Sequence, residues 1–199
     1  PTKIQLLKFI IFTTFEKKEN MTKLLYKIAV LGVLIPSLHF AQVTTSAQEQ
    51  AKIEAKKKAE QEKASLPKPY NEEENAEKKI EELVKQAKKE NKNIILQAGG
   101  NWCIWCLRFN NYINTTPELK KIVDENYLYY HLNWSPKNKN EKIFAKYGDP
   151  GKKYGYPVFV ILDPNGKQIH TQASSVLEEN KGYSFEKVKT FFETWKVKK

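Results

Sequence analysis

Apolar residues recur along this chain with two periods, and the periods predict its elements. From Asn75 to Glu90, the positions Ile80, Leu83, Val84 and Ala87 follow three- and four-residue spacing, which predicts a helix with one apolar face. Asn91 and Asn93 suit the turn that ends it. Asn93 to Ala98 is a short apolar run with the composition of a strand buried on both faces. Gly99-Gly100-Asn101 leads from it into a helix predicted from Cys103 to about Ile113. Thr116 is placed to cap the next helix, with Pro117 at its first position and Glu118 in its first turn. Tyr127 to Trp134 alternates as a strand, Lys139 to Tyr147 reads as a short helix, and Pro157 to Leu162 reads as a strand. Asp163-Pro164-Asn165-Gly166 is a turn, and Lys167 to Gln172 pairs back as a hairpin. Ser184 is placed to cap a last helix. Its Phe185, Val188, Phe191, Phe192 and Trp195 recur at helical spacing and read as core.

The first third of the chain lacks such an apolar face. Thr44 to Ser65 is rich in Lys, Glu, Gln and Ala and has helix formers but no large apolar stripe. It reads as a tether or a frayed, solvated helix. Leu66-Pro67-Lys68-Pro69-Tyr70 punctuates the chain at the edge of the globular part. Residues 21–41 read as a secretory signal peptide: Lys23 and Lys27 are basic, Ile28 to Ile35 is apolar, Pro36 breaks the run, and Ala41-Gln42 is a cleavage point. Residues 1–20 precede the only methionine, Met21, and read as an over-extended gene start. The expected organisation is therefore 1–20 outside the natural protein, a signal peptide over 21–41, a charged linker over 42–71 and one globular domain over 72–199.

The formal net charge is +11, but the longest basic block is Lys56-Lys57-Lys58. A Lys-rich solvated surface accounts for this better than a nucleic-acid site, so no nucleic-acid partner is expected. Export would place the chain in the periplasm or otherwise outside the cytosol, where disulfides persist. A membrane association is expected only if the signal segment stays uncleaved.

Cysteine use changes the picture more than charge does. Cys103 and Cys106 are the only two cysteines, within Trp102-Cys103-Ile104-Trp105-Cys106. They are too close in sequence to restrict the unfolded chain much, which argues for chemistry over stapling. A Cys-x-x-Cys pair where a strand passes into a helix has the spacing of thiol–disulfide exchange. The first sulfur lies at the helix N-terminus and the second one turn further in. The unpaired N–H groups of that turn favour a thiolate, the reactive species, on the leading sulfur. His131 and His170 could complete a zinc set only by a coincidence of folding, because no second closely spaced ligand pair exists.

The order of elements, Trp102-Cys103-x-x-Cys106 after a strand, and Gly155-Tyr156-Pro157 opening a later strand together resemble the thioredoxin-like family. Ala87 to Lys92 and Phe159 to Gly166 are similar to secreted bacterial members in particular. The resemblance covers residues 72–197. It implies an α/β thioredoxin fold, with a central mixed sheet flanked by helices and preceded by the charged helical or disordered tether. It implies that Cys103 is an exposed nucleophile, that Cys106 is the buried resolving thiol, and that the bond before Pro157 is cis. Trp102, Tyr156 and Pro157 would form the substrate-binding rim and edge. This chain departs from the family pattern at Gln97, where thioredoxins proper carry an acidic residue, and at Ile104-Trp105, where they carry Gly-Pro. Arg108 reads as a surface residue.

Two functions stand open on these residues. One is an exported thiol–disulfide oxidoreductase, most readily a reductase or isomerase, whose partners are protein disulfides or dithiols and an upstream dithiol donor. The other is a non-enzymatic binding module that uses the Tyr156-Pro157 edge. No Gly-rich phosphate loop or dinucleotide fingerprint is present, so no cofactor is expected.

Overall fold

The structure, a computed structural model, describes the backbone of residues 36–198 and side chains from residue 47 onward. The segment 1–20 and residues 21–35 of the leader expected over 21–41 lie outside the described residues. Helix α1 runs over Pro36–Ser65. The chain divides into two compact units at Lys58/Ala59. Within the first unit, side chains 47–58 are all exposed, as the missing apolar stripe requires. Among the described residues, no helix is long and apolar enough to cross a membrane.

The second unit opens with the last turn of α1 and the segment 66–75, then follows the predicted order. Helix α2 spans Ala76–Glu90, capped by the Asn75 side chain on the Lys78 N–H and closed by Asn91 in the left-handed region. It buries Ile80, Leu83 and Ala87. Strand β1 is Asn93–Gly99, buried at every position. Helix α3 is Ile104–Thr115 with Cys103 at its N-cap. Helix α4 is Pro117–Asn126, with Thr116 at the cap position but making no side-chain cap bond. Strand β2 is Tyr127–Asn133, helix α5 is Glu141–Lys146 and helix α6 is Pro150–Tyr154. Strands β3 and β4 are Val158–Leu162 and Gln168–Ala173. A small hairpin of β5, Glu178–Glu179, and β6, Gly182–Tyr183, precedes helix α7, Phe185–Trp195. The hairpin and α6 have no counterpart in the sequence reading, because elements of two to five residues carry no measurable period.

The sheet order is β2-β1-β3-β4, with β1 parallel to β2 and antiparallel to β3, which is antiparallel to β4. Alternate residues of the central strands feed opposite cores. Ile94, Leu96, Val158 and Val160 pack with α2 and with Ile143 and Phe144 of α5. Ile95, Phe159 and Ile161 pack with α3, α4 and α7, whose Val188, Phe191 and Phe192 are buried. The centre of the last helix's apolar face is thus core, as its spacing predicts, while Phe185 and Trp195 pack half-buried against it.

One register sets up the site. Ala98, at the end of β1, pairs with Val158, at the start of β3. The turn leaving β1 toward Cys103 and the turn entering β3 through Tyr156-Pro157 therefore emerge side by side.

Candidate active site: a disulfide beside a cis-proline turn

Cys103 and Cys106 form a disulfide, with Cα atoms 5.3 Å apart. Helical geometry explains the pairing: Cys103 is the extended N-cap of α3 and Cys106 sits in its first turn, so both side chains leave the same end of the helix. The Cys106 N–H donates to Cys103 Sγ at 3.2 Å. It is one of the amides that a helix start leaves without an intrahelical acceptor. The backbone oxygen of Tyr156 lies 3.6 Å from Cys103 Sγ. The Tyr156–Pro157 bond is cis, as the family resemblance implies.

The two sulfurs are unequally covered. Cys103 keeps 7% of its surface and Cys106 none. Cys103 is the more accessible of the pair, yet less open than an exposed nucleophile, because Tyr156, Trp105 and Tyr70 pack against the disulfide.

Trp102 is 42% exposed and stands at the rim. Its indole N–H donates to the Trp134 carbonyl at 2.7 Å. Its ring meets Trp134 and Tyr156 edge to face, at 5.9 and 5.5 Å, and Trp134 stacks on Tyr156 at 5.8 Å. Gly100 makes this arrangement possible, since a Cβ there would run into the Trp102 indole and the Trp134 carbonyl oxygen. The sequence reading placed Trp134 only at a strand end. The register Gly99 to Asn133 carries it to the site. A groove of about 400 Å³ continues from Trp134 and Tyr156 between Phe144, Asp149 and Lys152.

Trp105 turns away from the rim. It packs edge to face on Tyr183 at 5.7 Å, and the Arg108 guanidinium lies over its ring at 4.9 Å. Arg108 is not a bare surface residue: it is only 21% exposed, and Nε and Nη2 donate to the two Glu62 carboxylate oxygens, each at 2.7 Å. The hydrogen bond from Arg108 holds the Glu62 carboxyl below the ordinary carboxylate range. Its partner comes from the last turn of α1, 46 residues upstream, a distance that local patterning does not bridge.

Beneath the disulfide lies a polar cluster centred on Gln97, which is fully buried. Gln97 Nε2 donates to Tyr70 Oη at 2.7 Å and to the Cys106 carbonyl at 3.0 Å. Tyr129 Oη donates to Gln97 Oε1 at 2.6 Å. Every polar atom of the amide thus has a partner, which is the condition for burying it. Tyr70 is held in turn by Asn101, whose side chain accepts from the Tyr70 N–H at 3.1 Å and donates to the Tyr70 carbonyl at 2.8 Å. Burial raises both tyrosines well above the usual phenol range. His131 packs against Tyr70 and Tyr129, with ring centroids 5.1 and 5.2 Å away, and burial lowers its pKa to about 4.

His131 is in β2 and His170 in β4, the two outer strands of the sheet, and both sulfurs are already joined. The sequence-level zinc set is therefore not brought together. His170 stacks on Trp195 with centroids 4.0 Å apart.

A mixed four-stranded sheet with helices on both faces, an N-cap Cys-x-x-Cys pair and a cis-proline turn beside it make this a thioredoxin-like fold. The family model described as thioredoxin-like matches residues 75–164. Among individual relatives, the chain is 28% identical over 97 residues to the disulfide bond reductase DsbH of Chlamydia pneumoniae, a match covering 44% of this chain and 56% of the relative. The chain thus spans little more than half the length of that curated relative. The crystal structure of a disulphide isomerase from Xylella fastidiosa Temecula1 superposes with a TM-score of 0.57 at 22% identity, over 65% of this chain and 98% of that one, a likeness of fold.

Proposed function

We propose that the protein is an exported thiol–disulfide oxidoreductase acting on protein disulfides as a reductase or isomerase. The observation that carries this reading is the placement of Cys103 Sγ, between the Cys106 N–H at 3.2 Å and the Tyr156 carbonyl at 3.6 Å. In the reduced pair, the helix N-terminus and that N–H favour a Cys103 thiolate. The thiolate attacks a substrate disulfide and forms a mixed disulfide. Cys106 then attacks Cys103 Sγ and the substrate sulfur departs reduced. The backbone of Tyr156 is placed to pair with an extended substrate segment, as a strand added at an edge. Trp102 forms the apolar rim and Pro157 shapes the turn. An upstream dithiol would restore the reduced pair. Residues 21–41 as a signal peptide, a linker to residue 71 and the periplasm as destination belong to the same reading, supported by the charged and apolar blocks of the leader.

The test is the reduction potential of the pair, set by equilibration with glutathione and read by gel-shift alkylation. A value near that of thioredoxin, about −270 mV, supports a reductase. A value near about −120 mV replaces it with a disulfide-forming oxidant. If no reversible disulfide forms, the redox reading fails and the Tyr156-Pro157 edge is left as a binding surface.

A further inference from the structure

A buried tyrosine from outside the sheet packs in one cluster with the resolving sulfur. A Cβ built on Gly99 would lie 2.5 Å from Cys106 Sγ and 2.9 Å from Tyr70 Oη, so the sulfur and the phenol oxygen face the same point above Gly99. Tyr70, Cys103 and Cys106 form one buried cluster.

The hydrogen-bond directions around Gln97 decide what this phenol can do. The Cys106 carbonyl only accepts, so the amide nitrogen must face it. The same nitrogen donates to Tyr70 Oη, while Tyr129 donates to the amide oxygen. The Tyr70 oxygen is therefore an acceptor toward Gln97, and its own proton remains to be donated. Among the described residues no side chain or carbonyl takes it. The Cys106 sulfur, which faces the same point above Gly99, takes no strong hydrogen bond while it is half of a disulfide, but accepts one as a thiolate.

We infer that Tyr70 is a positioning residue for the resolving step, donating a hydrogen bond to the Cys106 thiolate. The inference rests on the thiol–disulfide exchange proposed above. In the mixed disulfide, Cys106 first loses its proton to water. Its thiolate attacks Cys103 Sγ, the Cys103–substrate bond breaks, and the substrate sulfur leaves with the electron pair and takes a proton from water. The cysteine pair is oxidised and the substrate reduced, with no further reactant. A carboxylate at position 97 would accept the Cys106 proton. Gln97 cannot, and Tyr70 lowers the cost of the thiolate by donating to it. Burial holds the phenol well above its ordinary pKa, so it gives a hydrogen bond without giving up its proton. The titratable side chains packed around this point are Tyr129, His131, Tyr156 and Tyr183, and the Arg108 guanidinium lies over the Trp105 ring and is paired with Glu62.

The test follows release of glutathione from a Cys103–glutathione mixed disulfide in the full chain, formed at acid pH and started by a pH jump. The release rate should rise with pH as Cys106 ionises. Tyr70→Phe keeps the ring and should move the midpoint up by about one pH unit. Release below the midpoint then slows about tenfold, with the plateau above it unchanged. Tyr183→Phe removes a different buried hydroxyl, one that donates to the Trp105 carbonyl at 3.1 Å, and should leave the midpoint in place. The inference is overturned if Tyr70→Phe lowers the plateau with the midpoint unmoved, or if Tyr183→Phe shifts the midpoint equally. If the unaltered protein releases no glutathione at any pH, the exchange reading itself fails.

Discussion

Replacing Gly99 by alanine places one methyl group at the point where the disulfide and Tyr70 meet. Gly99 ends β1 in extended backbone that alanine adopts freely, so the cost is crowding alone. The new carbon would stand 2.5 Å from Cys106 Sγ, 2.9 Å from Tyr70 Oη and 3.3 Å from Tyr70 Cζ. Neither neighbour is the loose end of a surface side chain. Tyr70 is pinned by Asn101 and Gln97, and in the oxidised protein Cys106 Sγ is held by its bond to Cys103. Overpacking of this kind costs about 1–3 kcal/mol. Reduction frees the Cys106 side chain to rotate, so the oxidised form carries most of the cost. A difference of that size raises the reduction potential by roughly 20–60 mV, since 30 mV corresponds to about 1.4 kcal/mol in a two-electron couple. Two assays check it: urea denaturation of the oxidised and reduced proteins, and glutathione equilibration of the pair. Equal destabilisation of both redox forms, with an unmoved potential, would refute the claim that the crowding acts at the sulfur.

The surroundings of the disulfide lead to three further outcomes. His131 has its pKa depressed by burial to about 4, whereas an unfolded histidine titrates near 6.5. Between those values the unfolded chain binds the extra proton, so stability falls as pH drops through this window, by at most about 3 kcal/mol. His131→Phe should remove that part of the slope; denaturation midpoints at pH 7 and pH 4.5 that change alike in both proteins would contradict the assignment. The Arg108–Glu62 fork joins a guanidinium 21% exposed to a carboxylate 42% exposed, so a double-mutant cycle to alanine should give a coupling of only about 0.5–1 kcal/mol. Because that charge is committed to Glu62, Arg108→Ala should leave the pH midpoint of Cys103 alkylation where it was, and a clear rise would show that Arg108 acts on the thiolate.

Much of the scaffold was legible because the elements that build it are long enough to show a period. Ile80, Leu83 and Ala87 are buried on α2 as their spacing predicts, and Phe191 and Phe192 of α7 are core, with Phe185 and Trp195 packed half-buried against it. The cysteine pair was legible for a local reason: three residues of separation fix both side chains to one helix end. Where the reading stopped, the contacts were long-range. Leu66 to Tyr70 scans as punctuation between a polar tether and a domain, yet Tyr70 is 3% exposed and bonded to residues 27 and 31 positions away. Arg108 scans as surface because its partner is 46 positions upstream.

The sequence by itself determined the longer helices and strands and which two sulfurs can meet as a disulfide, since period, capping and spacing act over a few residues. The tertiary structure decided what surrounds those sulfurs. The register that sets Ala98 against Val158 brings the cis-proline turn to Cys103, and parallel pairing with β2 brings Trp134 to Trp102. The docking of Tyr70 converts a buried glutamine from a lone departure into the centre of a satisfied network. These meetings depend on how sheet and helices pack across tens of residues, and no local pattern in the chain encodes that distance.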